Sequence, residues 1–114
     1  SYNSPLSDYA EIIVNTADRN KVDYKLIPAI AMQESGGCRV IPDNSYNCWG
    51  FGIYGKKVTR FENYPEAIET VTRSMGEHYV KKGLDTPDSI MPVYTPPSKG
   101  SWSRGITYFM EQMQ

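Results

Sequence analysis

The sequence predicts a mostly α-helical single domain with one small β element inserted after the second helix, an α+β arrangement. Apolar residues recur at helical spacing in four separate stretches, cap-type residues precede these stretches and glycines close two of them, and residues 49–61 change character. With 114 residues and no internal repeat, low-complexity tract or linker, the chain has the length of one domain, residues 1–114, able to bury a single core.

Ser4 is placed to cap a first helix with Pro5 at its first position, and Tyr9, Ile12, Ile13 and Ala17 then form one stripe before Asn20. A second helix starts near Asp23 or Lys25, carries Ile27, Ile30 and Ala31 on one face, and stops at Gly36-Gly37. Pro28 predicts an irregular first turn. Between Trp49 and Phe61 the glycines Gly50, Gly52 and Gly55 and the extended-looking run Val58 to Arg60 predict a β-hairpin turning near Gly55 to Lys57. Asn63 followed by Glu66 is a capping-box pattern that opens a long helix, with Ala67, Ile68, Val71, Met75 and Tyr79 on its stripe up to Gly83. Thr86-Pro87 starts a short helix that Pro92 is expected to end, and Tyr94 to Gly100 reads as an extended loop. The last helix begins at Ser101, with Trp102, Ile106, Phe109, Met110 and Met113 on its apolar side.

Composition excludes several classes of function. Net charge is -1 and no basic block or stripe is present, which argues against a nucleic-acid partner. No apolar run approaches the ~18 residues a membrane-spanning helix needs, so no membrane insertion is expected. Nine of the aromatic residues are Tyr, whose ring and hydroxyl together suit a wet groove that binds sugar or peptide. Cys38 and Cys48 are ten positions apart in a loop-like segment, Gly36 to Asn47, rich in Gly, Pro, Asp, Asn and Ser, that can turn back on itself. A bridge between them would close a short loop, contribute roughly 2 to 4 kcal/mol, and fit an extracellular, periplasmic or cell-wall location. The alternative is two unconnected thiols. The single histidine, His78, is far from both cysteines in sequence, so no metal is expected, nor any cofactor.

Glu34 breaks the apolar pattern of the second helix. It follows Ile27 by seven residues, Ile30 by four and Ala31 by three, so it shares their face in the last turn. A carboxyl there is expected to be partly desolvated and to face the negative end of the helix dipole, and both effects favour holding a proton. Such a group can protonate the leaving oxygen of a glycosidic bond. The plainer reading is a surface carboxylate paired with Arg39 or Arg60.

Gln33-Glu34-Ser35-Gly36-Gly37 at the end of an apolar helix resembles the catalytic helix of the lysozyme-like superfamily, especially soluble lytic transglycosylases and bacterial peptidoglycan glucosaminidases. The segment from Asn47 through Trp49 and Gly50 to Ile53 looks like the glucosaminidase run of Asn, aromatic, Gly and Ile. Phe61-Glu62-Asn63-Tyr64 is similar to its lead-in to the next helix, and Tyr94 resembles the late Tyr of both groups. These matches cover residues 22–113. Where lytic transglycosylases carry Gly-Leu-Met-Gln this chain has Gly50-Phe51-Gly52-Ile53, which tilts the likeness towards the glucosaminidases.

The resemblance implies a lysozyme-like fold with a groove between a helical body and the hairpin, and cleavage of the β-1,4 bond in peptidoglycan glycan strands; a monomer is the default expectation. It implies that Glu34 is the general acid, that Ser35 contacts substrate or holds the acid, that Phe51, Ile53 and Tyr54 line the groove, and that Tyr94 sits near the reacting sugar. Trp49 reads as a plug beneath the hairpin and Trp102 as core. An inverting enzyme needs a second carboxylate about 6.5 to 9.5 Å from the acid and a retaining one about 5 to 5.5 Å, and Asp43 and Glu62 are the candidates. Failing both, the substrate's N-acetyl group or C6 hydroxyl would be the nucleophile. A non-catalytic wall-binding module and a hydrolase of chitooligosaccharides are the alternatives.

Overall fold

The computed structural model describes residues 4–53, 56–95 and 100–113. Five α-helices stand among them: α1 (Ala10–Asn20), α2 (Leu26–Ser35), α3 (Tyr64–His78), α4 (Pro87–Tyr94) and α5 (Ser101–Glu111). The helical expectation therefore holds. Helix α1 packs on α3, while α5 packs on both α2 and α4.

The first turn is tighter than the sequence suggests. Ser4 accepts the amide of Leu6, but Pro5–Tyr9 form a 3-10 turn before α1 begins. Leu6, Ile13, Thr16 and Ala17 are buried and Ile12 is exposed, so the inward stripe is rotated from the one expected. Helix α1 ends at Lys21 in the left-handed region, and its last carbonyl, of Asn20, comes close to Gly76 on α3. A Cβ on Gly76 would lie 2.8 Å from that carbonyl oxygen, which is backbone and cannot swing aside. Gly76→Ala should thus lower stability by about 1 to 3 kcal/mol, outweighing alanine's better helix propensity. Thermal denaturation checks this.

Helix α2 is the centre of the core. Leu26, Ile27, Ala29, Ile30 and Ala31 are all buried, so it is enclosed on more than one face. Pro28 is tolerated because amides of the first turn have no intrahelical partner to lose. At the far end Gly36, at φ 64°, and Gly37 turn the chain and return their amides to Met32 and Ala31 carbonyls. Helix α3 buries Ala67, Ile68, Val71 and Met75 as expected. Asn63 accepts the Glu66 amide, while the Glu66 carboxylate takes the amide of Glu62 rather than that of Asn63, so the capping box is displaced by one residue. Helix α3 stops at His78, and a 3-10 turn, Val80–Lys82, carries the chain to Gly83.

Two expectations are corrected. Pro92 lies inside α4, which runs on to Tyr94. Tyr94 is thus helical, and residues 96–99 of the expected loop lie outside the described residues. The β-hairpin is not seen: no strand is present among the described residues, and 49–52 form turns. Gly50 and Gly52 take φ of 65° and 61°, which coils this segment instead of extending it. A single bridge residue, Lys57, is all the β structure among the described residues here, and side chains also join the two arms. The Asn47 amide donates to the Phe51 and Thr59 carbonyls, at 2.7 and 3.0 Å, and the Thr59 hydroxyl donates to Gly52 O.

Candidate functional site

The expected bridge is present: Cys38 and Cys48 form a disulfide, which ties the chain just after α2 to the segment holding Trp49. Cys38 itself sits at φ 73°, a region that costs a non-glycine residue energy. The bridge and a bond from the Cys38 amide to Ser35 Oγ hold it there. Ser35 is buried, and its hydroxyl also lies 2.9 Å from Ala31 O and 2.8 Å from Cys48 O. All of its contacts are with backbone. Ser35 therefore fixes the end of α2 against the bridged loop.

Trp49 is fully buried, and its Nε1 donates to Ile27 O at 2.8 Å. It is a plug, but under a coiled segment instead of a hairpin. From the other side the Tyr94 hydroxyl donates to Trp49 O at 2.6 Å. The backbone at 49–50 is thereby clamped between α2 and α4.

That clamp shapes a groove of about 590 Å³. One wall is residues 50–53 with Phe51 and Ile53, another is α3 with Ser74, Met75 and His78, and a third is Tyr79, Val93 and Tyr94. Phe51 packs on Phe61 with ring centres 6.2 Å apart, so it is half-buried and presents only part of its ring. Tyr94 lies between two aromatic neighbours, Tyr79 at 6.2 Å and Trp102 at 5.1 Å, the latter stacked. Tyr54 falls outside the described residues. His78 is exposed and forms part of the groove wall.

Glu34 does not itself line this groove, but its carboxyl lies beside Gly50, which does. The desolvation expected from helix periodicity is not found, because Glu34 is exposed. Helix α2 is enclosed through Ala31 and emerges from the core in its last turn, so the shared face no longer implies burial. The carboxylate is nevertheless held. Oε2 accepts the indole Nε1–H of Trp102 at 2.8 Å, and Oε1 lies 3.1 Å from where a Cβ on Gly50 would stand. Gly50 thus leaves room for the carboxyl beside the groove wall. Neither Arg39 nor Arg60 forms an ion pair with Glu34 among the described residues. Arg60 donates instead to the backbone oxygen of Asp43.

Asp43 and Glu62 are both exposed, and neither is among the described residues lining the groove. Trp102 is 5% exposed, as expected of core, but its reach to Glu34 was missed. Gln33 was also missed. Its amide covers Gly105, where a Cβ would stand 2.0 Å from Gln33 Oε1, and this lets α5 approach α2 closely. The bare Gly105 within an amphipathic helix is the only sequence signal for it.

Elsewhere a cleft of about 290 Å³, lined chiefly by Leu6, Ala10, Ile13, Val14, Pro28 and Met32, has a mainly apolar wall and no acid or base for chemistry. Tyr9, Tyr46 and Tyr64 form a separate aromatic cluster, in which burial, then the neighbouring Tyr46 and Tyr9 hydroxyls, push the Tyr64 pKa up. Among the described residues no group of His, Cys, Asp or Glu is arranged to hold a metal ion, and no helix is long and apolar enough to cross a membrane. No family model matches this chain, and no curated protein matches it.

Proposed function

We propose that this protein cleaves the β-1,4-linked glycan of peptidoglycan on a lysozyme-like helical fold, with Glu34 as general acid. The observation that carries the reading is the Glu34 carboxyl, held by Trp102 Nε1 beside Gly50, whose segment forms one wall of a groove with Phe51, Tyr79 and Tyr94. Aromatic rings with hydroxyl tips suit the alternating apolar faces and polar edges of sugars. The disulfide agrees with work outside the cytoplasm, where this polymer lies.

The chemistry follows from one carboxyl. Protonated Glu34 gives its proton to the glycosidic oxygen as the C1–O bond breaks and positive charge develops at C1. A nucleophile supplied by the substrate completes the reaction with Glu34 as its one carboxyl. If the C6 hydroxyl attacks C1, its proton passes to the Glu34 carboxylate, the acid is regenerated, and the product ends in an anhydro sugar. If the N-acetyl oxygen attacks, water later opens the ring that forms, Glu34 takes the proton of that water, and the product has a reducing end.

Mass spectrometry of purified peptidoglycan incubated with the protein tests this. Anhydro-ended fragments are expected from the first route and reducing ends from the second, and the terminal sugar identifies the bond cut. Intact glycan after prolonged incubation would remove the enzymatic reading and leave a wall-binding module. Faster cleavage of chitooligosaccharide than of peptidoglycan would move the substrate to chitin-type glycans.

A further inference from the structure

We infer that Trp102 is a positioning residue that decides which oxygen of Glu34 carries the transferable proton. The inference rests on the glycosidase reading above and adds a part which that reading does not require. An indole Nε1–H only donates, so the oxygen it touches must accept. That oxygen is Oε2, at 2.8 Å. The carbonyl oxygen of a protonated carboxyl is its better acceptor, so this bond favours the proton on Oε1, the oxygen beside Gly50 of the groove wall. In the cleavage step this proton leaves Oε1 for the glycosidic oxygen, the C1–O bond breaks, and the resulting carboxylate keeps its bond to Trp102.

Packing makes the indole a fixed reference. Trp102 is buried on α5 and its ring stacks on Tyr94, at 5.1 Å and an interplanar angle of 28°. Tyr94 is in turn tied to Trp49 O through its hydroxyl. An exposed Glu side chain otherwise has wide rotamer freedom. One buried side chain thus restrains both the acid and a ring of the groove wall, across a separation of 68 residues from Glu34.

Trp102→Phe removes the donor and keeps an aromatic ring against Tyr94. Its kcat on peptidoglycan should fall about 10- to 100-fold, the scale of a misplaced catalytic group, while KM stays within about twofold. Tyr94→Leu provides the contrast, since it alters the groove wall and should raise KM. A second measurement does not depend on activity. In 15N-correlated NMR spectra of Glu34→Ala the Trp102 indole N–H should move upfield and exchange faster with water, while the Trp49 indole, bonded to Ile27 O, serves as the unchanged internal reference. Wild-type kcat in Trp102→Phe, a parallel change in kcat and KM that follows lost thermal stability, or an unmoved Trp102 indole signal would each overturn the positioning role and leave the glycosidase reading intact. A wild-type protein that leaves peptidoglycan and chitooligosaccharide uncut would overturn both together.

Discussion

Glu34→Gln is expected to lower turnover of peptidoglycan by about a thousandfold, within the range of about 10² to 10⁴ that a positioned general acid contributes. That loss corresponds to about 4 kcal/mol of transition-state stabilisation. The change is nearly isosteric. A Gln oxygen can still accept from Trp102 Nε1, where Oε2 accepts at 2.8 Å, and Gly50 leaves the other limb of the side chain unobstructed. The helix end is secured by Ser35, Gly36 and the disulfide, none of which involves the Glu34 carboxyl. The variant should therefore fold with an unchanged melting temperature and bind glycan about as tightly as the wild type. Fragment release measured with both proteins in parallel checks this, and equal rates would take Glu34 out of the mechanism.

Asn47→Ala is the substitution expected to cost most in stability. The side chain is 1% exposed, and all of its polar atoms are occupied. The amide nitrogen donates to Phe51 O and Thr59 O, and the amide oxygen accepts from the backbone of Trp49 and Phe51. Alanine would leave these four backbone groups without that partner in a partly buried loop. A loss of about 3 to 5 kcal/mol follows from the penalty for buried unsatisfied groups. For a domain of this size the melting temperature should drop by more than about 10 °C. Thr59→Val, which removes only the bond to Gly52 O, should cost about 1 kcal/mol. Because Asn47 shapes the segment carrying Gly50, Phe51 and Ile53, Asn47→Ala should also raise KM for glycan at temperatures where it remains folded. Near-equal stability of Asn47→Ala and Thr59→Val would contradict the bracing role given to Asn47.

The sequence by itself determined the helical plan, because the signals involved are local. The stripe from Ala67 through Met75, the stop at Gly36-Gly37 and the Asn63 and Thr86 caps each depend on residues within a turn or two of one another. The turn-rich segment between Cys38 and Cys48 made their bridge legible for the same reason. Glu34 was legible as a break in an apolar stripe, and Phe51, Ile53 and Tyr94 were picked out by resemblance and do line the groove.

Only the tertiary structure decided the state of the segment after α2 and the setting of the acid. Glycine-rich chain with a β-type run after it is compatible with a hairpin, and Asn47, bonding across 12 residues to Thr59, draws the arms together through a side chain instead. Periodicity located Glu34 on a buried face, but it carries no information about where the core ends along α2. The donor to Glu34 comes from Trp102, and Ser35 turns inward because Cys48 O lies beside it. Helical periodicity and capping reflect interactions a few residues apart, whereas these contacts join elements whose mutual placement is fixed by packing around Ile27, Ile30, Ile68 and Ile106.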